Sequence, residues 1–152
     1  MILHPDIAVL EPLLGTWQGP GAGSYPTIEP FEYLEEVTFG HVGKPFLAYS
    51  KRTRAADDGR PLHAETGYWR APSLIGSLAT VEVVLAHPTG IVEVQQGTFD
   101  GTVIELASVH VVGTSTAKDV RRVVRRTRPI GGQIQHLRRS GKLLPPVPKH
   151  LL

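Results

Sequence analysis

Residues 15–28 place the strongest constraint on what this chain can fold into. They have the pattern G-x-W-x-G-x-G, from Gly15 through Trp17 and Gly19 to Gly21, followed by Y-P-T-I. Four glycines within nine residues exclude a helix interior, because glycine loses the most backbone freedom there. In a first β-strand, glycines permit sharp bending and close approach of other backbone or of a ligand. The motif therefore predicts a first strand whose Trp17 ring fills one end of a barrel.

The rest of the chain, up to about residue 111, alternates between apolar and polar residues with a period of two. Before the motif, Pro5 to Leu14 read as a short helix with one apolar face. The predicted strands are Phe31–Phe39, Phe46–Arg54, Leu62–Arg70, Thr80–Ala86, Ile91–Phe99 and Thr102–Val111. The intervening turn signals include Ala56–Arg60, Pro72–Gly76 and His87–Gly90. Seven or eight strands with short turns predict an all-β, antiparallel up-and-down barrel.

Composition narrows the class of protein further. A chain of 152 residues suits a single domain over 1–152. The absence of cysteine removes disulfides and thiolate metal sites and fits a reducing compartment. No signal-peptide pattern is seen at the N-terminus, and no apolar run approaches the roughly 20 residues of a membrane span. We therefore expect a cytoplasmic protein that does not enter membranes.

The C-terminal segment, residues 119–152, departs from this pattern and is expected to be atypical, basic and poorly ordered. Residues 1–117 hold 6 Lys/Arg and 13 Asp/Glu, whereas residues 118–152 hold 10 Lys/Arg and one acid. Val120, Val123, Val124 and Thr127 have helical spacing where a barrel needs strands. Residues 133–137 alternate weakly, and residues 143–152 read as an irregular tail. These arginines could bind nucleic acid, which is one candidate function of the segment. No aromatic residue lies among them to stack on bases.

The histidines are the residues best suited to hold a metal or cofactor. None of the seven forms an H-E-x-x-H pattern. We interpret His41 and His87 as turn residues and His110 as a surface or satisfied barrel position. His63 lies in a strand rich in polar and aromatic groups and would line a cavity if it pointed inward, although a core or surface role is favoured on the residues alone. No nucleophile elbow or phosphate loop is present, so no catalytic side chain is predicted.

Several motifs taken together resemble the nitrobindins, haem-binding β-barrels related in shape to fatty-acid-binding proteins and lipocalins. The resemblance covers about residues 8–120. The matching pieces are Gly15–Gly21, Tyr25–Ile28, Phe31–Glu36, Gly43–Phe46, His63–Tyr68, His87–Gly90 and Ser115–Val120.

The resemblance implies a ten-stranded barrel with ferric haem b at one open end, binding nitric oxide and converting peroxynitrite to nitrate. It also implies an axial histidine near the C-terminus, for which His150 is the candidate. Thr27 would lie beside the haem, His63 on the pocket wall, and Lys118 near a propionate. Because the flanks of His150 depart from the family pattern, a second reading stays open: a barrel without haem, either inactive or carrying a small apolar molecule. Homodimer formation also stays open.

Overall fold

A computed structural model describes residues 1–25, 28–118, 124–127, 133–134 and 137–139. Within them a 3₁₀ helix, Pro5–Leu13, precedes ten β-strands. The first seven strands are β1 Gly15–Tyr25, β2 Ile28–Gly40, β3 Leu47–Ala55, β4 Pro61–Ile75, β5 Leu78–His87, β6 Ile91–Phe99 and β7 Ile104–Gly113. Three short strands follow, β8 Val124–Thr127, β9 Gln133–Ile134 and β10 Leu137–Arg139.

All the described strands belong to one antiparallel sheet, which confirms the predicted all-β class. The strand order is β8-β7-β6-β5-β4-β3-β2-β1-β10-β9, so β1 to β8 follow one another as a meander and β10 pairs with β1. One core cluster contains Trp17 of β1 together with Leu106 of β7. Strands far apart in the sheet order therefore share one interior, and the sheet must curve around it.

The 3₁₀ helix closes one end of this interior. Ile7, Leu10 and Leu13 are at most 1% exposed and pack in the same cluster as Trp17. The Trp17 Nε1–H donates to the Leu13 carbonyl oxygen at 2.7 Å, which ties the helix to β1. The predictions of a short helix over 5–14 and of a buried Trp17 ring are both confirmed. Pro12 inside the segment lacks an N–H, and the segment is a 3₁₀ helix rather than an α-helix.

Two strand glycines allow neighbouring strands to approach closely. A Cβ built on Gly67 would overlap the Val84 carbonyl oxygen, and one on Gly97 would overlap that of Glu105. Both positions face the interior of strongly curved strand pairs. Curvature here depends on the missing side chain.

The predicted turn after β4 was wrong. The segment Pro72–Gly76 is not a separate turn: β4 continues to Ile75, and only Gly76 and Ser77 form the turn. The register of β4 on β5 shifts between Arg70 and Ser73, and this irregularity accommodates Pro72, which has no N–H for the ladder.

The helical spacing in the basic segment was also misleading over its described part. Val124–Thr127 forms β8 and pairs with residues 104–107 of β7. Pairing with an available strand edge outweighs a local apolar period of only a few residues. Residues 119–123 and 143–152 lie outside the described residues. Across the described part of the chain, no helix is both long enough and apolar enough to cross a membrane.

We expect Leu10→Ala to lower the free energy of unfolding by about 2–5 kcal/mol, because it leaves a cavity under the helix. Urea denaturation of the two proteins measures the difference. Leu74→Ala is the matched control, since Leu74 is 59% exposed and its truncation should cost less than about 0.5 kcal/mol. Equal losses in the two variants would contradict a structural role for the helix.

Candidate functional site

Polar side chains occupy the interior at the end opposite the helix. There the strands β3 and β5 end, and β4 and β6 begin. Because side chains alternate along a strand, the polar residues point to the same inner face as the apolar side chains nearer the helix. The inward polar set is Glu35, Lys51, His63, Glu65, His87, Glu93, Gln95 and Ser108.

Glu65 is the first centre of this set. Its side chain is only 1% exposed, and its Oε1 accepts a hydrogen bond from the Tyr49 hydroxyl at 2.7 Å. Its Oε2 lies 3.3 Å from His63 Nε2 and 3.5 Å from His87 Nδ1. One carboxylate oxygen therefore faces two imidazoles.

Glu93 is the second centre. Its Oε2 accepts from Ser108 Oγ at 2.7 Å and from Gln95 Nε2 at 3.1 Å, and its Oε1 lies 2.8 Å from His87 Nε2. Ser108, Gln95 and His87 therefore contact this carboxylate through both of its oxygens. His87 thus bridges two buried carboxylates.

A partly buried ion pair lies beside this network. Lys51 Nζ lies 2.9 Å from Glu35 Oε1, and Glu35 is 6% exposed. Lys51 is the register partner of Glu65 on the neighbouring strand. Buried charges of both signs require partners of this kind, because an isolated charge is costly to desolvate.

A cavity of about 780 Å³ opens at this end, lined by β1 to β4 and by Pro88 and Thr89. Its lining combines apolar side chains, such as Leu34 and Leu62, with His63. The volume falls within the range of small-molecule sites.

Side chains at the edge of the cavity also join the strands that form this wall. Glu36 accepts from Gln18 Nε2 at 2.7 Å and from an Arg52 guanidinium nitrogen at 2.9 Å. The hydrogen bond from Gln18, with the hydrogen bond and charge of Arg52, holds the pKa of Glu36 below its usual value. This pairing across β1, β2 and β3 fixes the edge of the cavity.

The structure brings some of the predicted site residues together. Gly15, Trp17, Gly19 and Gly21 all lie in β1, with Trp17 at the helix end. His63 points inward and lines the cavity, with 40% of its side chain exposed. Lys118 is exposed and follows the turn at residues 115–116, after β7. Just before this turn, the Thr114 amide donates to the Gly90 carbonyl oxygen in the connection between β5 and β6. Thr27 and His150 lie outside the described residues.

The prediction that His87 is a turn residue was wrong. His87 is the last residue of β5, its side chain is 11% exposed, and it contacts Glu65 and Glu93. The available signal was the alternation Val81, Val83, Leu85, which continues to position 87. The residues that follow, Pro88-Thr89-Gly90, are typical of a turn and led to the wrong assignment. His41 and His110 stand as predicted: His41 Nδ1 accepts from the Gly43 amide in a turn, and His110 is exposed on β7.

A curved antiparallel sheet with an apolar plug at one end and a polar cavity at the other defines a small-ligand-binding β-barrel. The family model for the THAP4-like, heme-binding beta-barrel domain matches residues 6–139. The chain belongs to this family of haem-binding β-barrels, the nitrobindin family.

Relatives are similar over almost the whole chain. Peroxynitrite isomerase 2 of Mycobacterium ulcerans is 54% identical over 153 residues, covering 98% of this chain and 92% of the relative. Peroxynitrite isomerase of Nocardia farcinica is 50% identical, covering 98% of this chain and 89% of the relative. The crystal structure of Rv2717c from M. tuberculosis aligns with a TM-score of 0.74 at 44% identity, over 91% of this chain and 99% of that one.

The open end has the chemistry that a haem requires. A porphyrin needs apolar contact for its ring and cations for its carboxylates. Leu34, Leu62 and Pro88 supply apolar surface along the cavity, while Arg54 on its wall and the exposed Lys118 supply positive charge. The described residues fit such a group.

We expect Tyr49→Phe to lower the free energy of unfolding by about 1–3 kcal/mol, because it removes a buried hydrogen bond to the Glu65 carboxylate. Thermal or urea unfolding measures the loss. Tyr68→Phe is the control, since the Tyr68 ring packs edge-on against Phe46 and keeps that contact without its hydroxyl. Identical effects of the two changes would argue against a stabilising hydrogen bond between Tyr49 and Glu65.

Proposed function

We propose that this chain binds ferric haem b at the open end of its barrel and isomerises peroxynitrite to nitrate. The observation that carries the proposal is the 780 Å³ cavity at the polar end of a chain from a haem-binding family. The peroxynitrite isomerase names of relatives at about half identity support the activity. When bound, the ferric iron supplies the centre at which peroxynitrite rearranges.

His150 is the residue proposed to hold the iron, through a neutral imidazole nitrogen. Thr27, between β1 and β2 in the sequence, is proposed to contact the haem from that connection. Lys118 is proposed to pair with a propionate, and its exposed ammonium near the open end supports this.

His63 is proposed to form part of the pocket wall. Its Nε2 lies 3.3 Å from the buried Glu65 carboxylate, which limits the orientation of the ring. A wall residue held in this way presents the same surface to each incoming ligand and orders the entrance to the interior.

The proposal also covers the setting of this activity. The chain acts as a single domain, in the cytoplasm, on small molecules rather than on nucleic acid. The lack of cysteine throughout the sequence is in keeping with a reducing compartment. The basic segment 119–152 is proposed to be an atypical C-terminal part of this domain. Size-exclusion chromatography distinguishes monomer from homodimer.

We expect the Soret band of added ferric haem to sharpen and shift from that of free haem, and His150→Ala to lose this change because the axial ligand is lost. The decay of peroxynitrite measured by stopped flow should slow in parallel. His136→Ala is the matched control, as another histidine of the basic segment, and should retain the parental spectrum.

A Soret band in the parent protein that matches that of free haem would overturn the proposal and favour the haem-free barrel. A parental spectrum in His150→Ala would remove His150 as the ligand.

We expect Lys118→Ala to weaken haem binding by no more than about fivefold, since an exposed ion pair contributes little, and to do so mainly at low salt. Haem titrations at two ionic strengths measure this. Lys44→Ala, at an exposed lysine near the helix end of the barrel, is the control. A large effect that is insensitive to salt would contradict a surface pair with a propionate.

A further inference from the structure

We propose that His63, Glu65 and His87 form a binding site for one divalent transition-metal ion, such as Zn²⁺ or Co²⁺. The site is separate from the haem iron and does not depend on the proposed function. Within the described residues, these three side chains place one ligand atom each within 4.8 Å of one another.

The distances already approach those of a metal centre. Bonds of 2.0–2.1 Å to nitrogen and oxygen in a tetrahedral site separate neighbouring ligand atoms by about 3.3–3.4 Å. Glu65 Oε2 lies 3.3 Å from His63 Nε2 and 3.5 Å from His87 Nδ1. Only the two imidazoles must draw closer, and their ring centroids are 5.6 Å apart on adjacent strands.

The two ring nitrogens of His87 face different carboxylates. Nε2 lies 2.8 Å from Glu93 Oε1, and Nδ1 lies 3.5 Å from Glu65 Oε2. An ion held by Nδ1 and Glu65 would therefore leave Nε2 in contact with Glu93. Metal-bound histidines commonly donate their other N–H to a carboxylate, and Glu93 stands in that position.

Charge and access agree with this assignment. Two carboxylates, Glu65 at 1% and Glu93 at 4% exposure, are buried beside His87. Both carboxylates would attract a divalent ion bound beside His87. His63 is half-exposed at the cavity, so an ion can enter from solvent and keep a fourth position for water or a small anion.

The donor set selects the class of metal. Two imidazoles and one carboxylate suit Zn²⁺, Co²⁺ or Cu²⁺ rather than Mg²⁺ or Ca²⁺, which prefer all-oxygen sites. The same three-ligand composition with an open position is found in catalytic zinc sites. A metal here would stand on the inner side of the cavity.

The test uses the full chain prepared without haem. Isothermal titration with Zn²⁺ and visible absorption of added Co²⁺ are expected to show one saturable site per chain. His63→Ala should lower Zn²⁺ affinity at least about tenfold and remove the Co²⁺ bands, since a ligand is lost. Glu93→Gln should lower affinity about 10–100-fold by releasing His87 from its orientation.

His110→Ala, on the outer face of β7, should bind as the parent does, and circular dichroism of each variant confirms its fold. His150→Ala should lose haem but keep the metal, which separates this proposal from the previous one. Absence of saturable binding in the parent would overturn the site, as would parental affinity in His63→Ala or in Glu93→Gln.

Discussion

The hydrogen bond from the Trp17 indole to the Leu13 carbonyl joins the first strand to the helix that closes the barrel. It satisfies a donor that would otherwise be buried without a partner, at the most densely apolar point of the interior. Ile7, Leu10 and Leu13 complete the plug and are all at most 1% exposed. With one end closed by apolar contact, the curved sheet needs no further core at the opposite end. That freedom allows polar side chains to point inward there.

The polar end is stabilised differently. Glu65 and Glu93 are buried among strands and regain their lost hydration through hydrogen bonds from Tyr49 to Glu65 and from Gln95 and Ser108 to Glu93. Such networks are costly when incomplete and rigid when complete. A charged inner wall beneath a rim that includes Leu34, Leu62 and Pro88 gives a cavity that can hold a flat amphiphilic cofactor. Membership of a haem-binding β-barrel family connects this arrangement with a cofactor.

Much of the fold could be predicted from local pattern. Period-two alternation located β2 to β7, and the glycine-rich motif with Trp17 located β1 and the plugged end. The failures share one cause. Pro72 was taken as a strand break, and the spacing of Val124 and Thr127 as a helix, because local signals do not report which strand edge lies alongside. His87 was assigned to a turn because Pro-Thr-Gly follows it, although it is the last inward residue of β5.

The sequence by itself determined the class of fold, the family and the placement of Trp17, because glycine spacing, alternation and motif sets are local properties of the chain. Only the tertiary structure decided that His63, Glu65, His87 and Glu93 meet, since they come from β4, β5 and β6 and are joined by strand register. One residue of slippage in any of these strands would turn its side chains to the outer face. The cavity is likewise a product of curvature, which depends on long-range pairing and on glycines such as Gly67 that let strands approach.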